Sequence, residues 1–183
     1  EFKENKRLIH YLFILNTQGT TLVLMPFLIL YAKQRLGADS YAIGNYLLLK
    51  VIGGVLVGSI LFYYARKIRY HFMLYVTSIM AILSIIALLI FPGEILFPYI
   101  FLAGGIIYAL HRIVISGVLL EVTNSKNRAL YTGLSGAGNI LPISLALIGG
   151  FLVKQYGFPT LFLIIIFFIL SSFYFIYKLN CQH

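Results

Sequence analysis

Apolar residues fill six long stretches of this chain, at 8–31, 41–64, 70–91, 95–120, 129–153 and 158–177. Each holds the roughly 20 mostly apolar residues that a helix needs to cross the hydrocarbon core of a bilayer. Short polar or glycine–proline runs punctuate them: GADS at 37–40, RKIR at 66–69, PGE at 92–94, the segment 121–128, and Gly157 with Pro159. Ser125 or Asn127 is the candidate N-cap of the fifth helix. Turns this short predict one compact all-α bundle of six transmembrane helices over 1–183, with no soluble domain.

The polar positions inside the stretches carry the next layer of information. The first has NTQGTT at 16–21. Six small or polar residues at bilayer depth predict a cavity-lining or locally broken helix. The simpler reading is hydrogen bonding between helices, worth about 1 kcal/mol. Gln18 is the leading candidate there. In the second stretch Lys50, Gly54 and Gly58 recur at i, i+4, i+8 and share one face. That pattern predicts close approach of another helix, with Lys50 aimed at protein or a cavity. In the fourth, Gly104, Tyr108, Arg112 and Ser116 form a second stripe. In the fifth, Ser135 and Asn139 lie at i, i+4, and Pro142 predicts a kink.

Composition fixes the solvent. Hydrophobic residues are 61% of the chain and charged residues 10%, with a mean hydropathy of +0.95. Soluble domains carry roughly 25% charged residues. The medium around such a chain is lipid. The net charge of +9 therefore reads as membrane topology rather than as a nucleic-acid footprint. Lys3, Lys6, Arg7, Arg66, Lys67, Arg69, Lys126, Arg128 and Lys178 fall on one side. Only Lys33, Arg35 and Lys154 fall on the other. The positive-inside rule then places both termini in the cytoplasm of a cell membrane, plasma or inner. Glu1 opens the chain without a signal sequence, which reads as a segment of a longer protein. The single Cys181 makes no internal disulfide.

Two cations, Lys50 and Arg112, fall inside spans, and no acid does. An intramembrane charge is costly and is usually paired or functional. Their partners are expected to be acids of another part of the protein or an anionic ligand. Arg112 also has the simpler option of reaching toward the cytoplasmic interface. No metal-ligand cluster, phosphate loop or carboxylate pair occurs, and no cofactor is expected. Gly133-Leu-Ser135-Gly136 is similar to the nucleophile segment of rhomboid intramembrane proteases, but the histidine that should follow on a later span is missing.

The run GSILFYYARK at 58–67 resembles the loop after the second helix of a major facilitator superfamily half. Gly58, Ile60, Arg66 and Lys67 match; Phe62 stands for the usual acid and Ala65 for the second glycine. EVTNSKNRALYTG at 121–133 is similar to the loop before the penultimate helix of that superfamily. The antiporter glycine–proline signature is absent. The resemblance covers nearly the whole chain and fits the C-terminal half best. It implies two inverted three-helix repeats, a second six-helix half as partner, and secondary transport of a small solute by alternating access. Lys50, Gln18, Asn139 and Arg112 become candidate substrate contacts, and an anionic substrate suits the two cations. Gly58, Arg66, Lys67, Glu121 and Arg128 become a candidate cytoplasmic gate, in which Glu121 is expected to pair with one of the basic residues. A proton or a sodium ion is the candidate coupling ion. The alternative is a non-transporting membrane partner subunit.

Overall fold

The computed structural model describes residues 6–64, 69–123, 132–133, 135–136 and 138–180. Among them every regular element is a helix: α1 (Lys6–Arg35), α2 (Ser40–Tyr64), α3 (Tyr70–Ile90), a 3₁₀ turn (Glu94–Leu96), α4 (Phe97–Val122), α5 (Ile140–Tyr156) and α6 (Phe158–Asn180). Five are long and apolar enough to cross a membrane. That count makes the chain an integral membrane protein. The expected gate residues Arg66, Lys67 and Arg128, and the candidate caps Ser125 and Asn127, lie outside the described residues.

The turns follow from local chemistry. Gly37, two residues past the end of α1, has a φ of 63° that suits a residue without Cβ, and the Ala38 N–H donates back to the Ala32 carbonyl (3.1 Å). Asp39 then caps α2 by accepting the Ala42 N–H (2.7 Å). Gly157, with φ of 82°, joins α5 to α6.

α1 is the hub. It packs against α4, α5 and α6, while α4 carries α2 and α3, and α3 closes against α6. The core has two apolar parts. One, near the C-terminal end of α1, gathers Leu28, Phe97, Phe101, Leu161 and Phe162. The other, near its start, gathers Leu8, Tyr11, Leu74, Val118 and Ile176. Between them lies a polar layer of Thr17, Gln18, Thr20, Thr21, Thr77, Ser78, His111 and Ser172, all buried. The polar run of the first stretch is thus one edge of a mid-bundle layer.

Glycine sets the closest helix contact, but not the glycines expected. A Cβ on Gly105 would meet the Lys50 carbonyl group, 2.7 Å from its carbon, and one on Gly53 would meet the Leu102 carbonyl and the Ile106 nitrogen (3.2 Å). α2 and α4 therefore touch backbone to backbone. A Cβ on Gly54 would stand at ordinary contact distance from α4, and one on Gly58 would meet nothing within 4 Å among the described residues. The packing face of α2 is rotated one residue from the expected Gly54–Gly58 stripe.

The fifth span differs most from expectation. The stretch at 129–153 predicts one continuous helix kinked at Pro142. The regular helix instead starts at Ile140 and runs 17 residues, about 26 Å against a core of about 30 Å. Asn139 is non-helical (φ −78°, ψ 46°) and Gly138 lies in a turn. Pro142 explains the break. A proline has no N–H for the carbonyl four residues back and its ring clashes with it. That carbonyl belongs to Gly138. Ending the preceding turn there places Pro142 in the first turn of a new helix, where its missing N–H costs nothing.

Candidate functional site

Asn16 spans the break that precedes α5. Its Nδ2 donates to the Gly138 carbonyl (2.6 Å) and to Leu12 of its own helix (2.9 Å), and its Oδ1 accepts the Leu141 N–H (3.0 Å). One side chain thus satisfies a backbone group on each flank of the interruption. Gly19, one turn on, makes room for the other side of the joint. A Cβ there would meet Pro142 Cγ at 2.9 Å and Asn139 Oδ1 at 3.6 Å. Asn139 Oδ1 is buried without a hydrogen-bond donor. An open groove of about 780 Å³ runs beside this joint between α1, α5 and α6, with Phe13, Asn16, Leu141, Ser144, Ser171 and Phe175 along its walls. The sequence singled out Gln18 in this run, and the reach of Asn16 to the break was not expected. The signal available was the pairing of a mid-span Asn with a span that carries proline.

Gln18 is placed inside the bundle, fully buried. Its Nε2 donates to the Leu74 carbonyl (2.9 Å) and to Ser78 Oγ (3.0 Å), and Ser78 Oγ lies 3.4 Å from Ser172 Oγ. This chain ties α1 to α3 and α6. The neighbouring hydroxyls turn back on their own helices: Thr17 donates to Phe13, Thr20 to Thr17, and Thr21 to Gln18 carbonyls. Replacing Gln18 with leucine is expected to lower the melting temperature modestly, by the roughly 1 kcal/mol that a polar contact between membrane helices carries. Uptake by the surviving protein should change little. A raised KM at unchanged stability would make Gln18 a ligand contact instead.

Lys50 and Arg112 are brought together. The Lys50 Nζ stands over the Tyr108 ring at 5.0 Å from its centroid, and the Arg112 guanidinium carbon over the same ring at 5.8 Å. The quadrupole of the ring attracts both cations. Yet their charges lie no more than about 11 Å apart, so the two like charges repel by at least about 1.5 kcal/mol at an effective dielectric constant near 20. Among the described residues the acids are Asp39, Glu94 and Glu121, all at helix ends or in turns, and none pairs with either cation. Lys50 and Tyr108 are half-buried and Arg112 is exposed on the bundle surface. No hydrogen bond or ring contact links Gln18 or Asn139 to this pair.

The remaining candidates sort quickly. Glu121 faces His71 across α3 and α4, Oε2 to Nδ1 at 3.8 Å, a partner outside the basic residues expected for it. Ser135 Oγ donates to the Thr132 carbonyl (2.9 Å) and also meets the Tyr11 hydroxyl. An imidazole, the base that a serine nucleophile uses, is not among these partners. No group of three or more metal-ligating side chains occurs among the described residues.

Comparisons with protein-family models, with curated proteins and with solved structures give no match.

Proposed function

We propose that this chain is one six-helix half of a secondary transporter of the major facilitator type, carrying a small anionic solute by alternating access. The observation that carries the reading is the pair of cations held on one tyrosine at membrane depth, with no acid among the described residues to neutralise them. Exposed cations in hydrocarbon are costly, so this face belongs against protein or water. An anion passing between two halves would supply the missing charge.

The packing supports the inverted-repeat part of the reading. Exchanging α1 with α4, α2 with α5 and α3 with α6 turns the α2–α4 contact into α5–α1, and the α3–α4 contact into α6–α1. The α1–α4 and α3–α6 contacts map onto themselves, while the α5–α6 contact has no α2–α3 counterpart of like extent among the described residues. Cytoplasmic termini follow from the excess of basic residues on one side. In this scheme Lys50 and Arg112 hold the solute, Gln18 holds the bundle together, and Asn139 marks the joint at the start of α5.

Uptake of radiolabelled anions into proteoliposomes containing the whole parent protein tests the proposal. Lys50→Gln is expected to reduce uptake at least tenfold while the protein still folds. Full uptake in that variant removes Lys50 from the pathway. A parent that folds but moves no solute would favour the partner-subunit reading.

A further inference from the structure

We infer that the Lys50–Tyr108–Arg112 cluster selects anions with two acidic groups, and that Tyr108 is its specificity-determining residue. This rests on the transport reading above and deepens it. The chemistry starts from the cations. Each stands over the same ring, one from α2 and one from α4. The Lys50 backbone is itself fixed, because its carbonyl seats on Gly105 of α4. Arg112 lies one helical turn beyond Tyr108 on the same face. The ring thus sets the spacing of two positive charges that would otherwise move apart.

A monoanion satisfies one of these charges and leaves the other facing a low-dielectric surround. A dicarboxylate, or a phosphate with charge shared over three oxygens, satisfies both. The guanidinium offers a planar fork and the ammonium a point charge. Recognition by this cluster therefore favours a compact dianion seated across the ring, with the tyrosine hydroxyl able to donate to it. Loss of the ring would release both cations and erase the preference while leaving the charges present.

The test uses the full chain in phosphatidylcholine nanodiscs, melted by circular dichroism at constant ionic strength. Succinate and inorganic phosphate are expected to raise the melting temperature, and butyrate and chloride are not. Lys50→Gln or Arg112→Gln should weaken the succinate effect about tenfold or more, as loss of a charge-assisted contact does. Tyr108→Phe should keep most of the effect, because the ring remains. Tyr108→Leu should let butyrate protect as well as succinate. Equal protection by succinate and butyrate in the unaltered chain overturns the inference, as does a succinate effect that survives Lys50→Gln. Protection by phosphatidic acid, with none by succinate or phosphate, also overturns it and makes the cluster a lipid-headgroup site. Succinate binding without uptake by the parent would sink the transport reading alone. Uptake of monoanions as efficient as of dianions would sink this inference alone.

Discussion

Replacing Gly105 with leucine is expected to part α2 from α4 and to unfold much of the bundle in mild detergent. The Cβ would lie inside the Lys50 carbonyl group, 2.7 Å from its carbon, and the obstacle is backbone that cannot rotate away. Overpacking a core costs about 1–3 kcal/mol when side chains can yield, and more when they cannot. The interface it would open is also large, since α2 rests almost wholly on α4. Membrane helices gain little from hydrophobic driving force, so close van der Waals fit and Cα–H···O contacts carry such an interface. Gly54→Ala is the control. A Cβ there meets the Gly105 carbonyl oxygen at 3.7 Å and the Ala109 Cβ at 4.0 Å, both ordinary contacts. Thermal melts should show Gly105→Leu strongly destabilised and Gly54→Ala close to the unaltered chain. The reverse order would mean that the packing face of α2 is the Gly54–Gly58 stripe after all.

That comparison shows how far the sequence was legible. Spans are set by local hydropathy, and α2, α3, α4 and α6 fall within three residues of the stretches read for them. Mid-span polarity was also visible, because a run such as 16–21 cannot face lipid. What escaped was everything fixed by a second helix. One residue turns a helix face by about 100°, so whether Gly53 or Gly54 meets α4 depends on where the Leu102 carbonyl arrives. Lys50 and Arg112 were each legible as intramembrane cations, while their shared ring was not, since it joins residues of two helices at one depth. The bonds of Gln18 to Leu74 and Ser78 on α3, and the link from Ser78 on to Ser172 of α6, were equally out of reach. Pro142 gave notice of a disturbance. The break fell at Gly138–Asn139 because a polar clamp stood ready 122 residues away in the chain.

The clamp gives the second large effect. Asn16→Ala is expected to leave the Gly138 carbonyl and the Leu141 N–H without partners at membrane depth. Each buried polar group stranded in this way costs about 1–3 kcal/mol. Hydrogen exchange should accelerate at Leu141 and Ile143, and the melting temperature should fall. The decisive variant restores a donor from within α5. Pro142→Ala gives position 142 an N–H that can reach the Gly138 carbonyl, so the helix can run on through the joint. In the Asn16→Ala background this second change should recover stability, a coupling that a double-mutant cycle reads directly. If it does not, the break has a cause other than the proline and its freed carbonyl. The repaired protein also separates structure from mechanism. If transport requires α5 to bend where Asn16 now holds it, a stable double variant with a continuous helix should fold well and carry solute poorly. If it carries solute at the full rate, the joint is a packing solution and the moving parts lie elsewhere in the bundle.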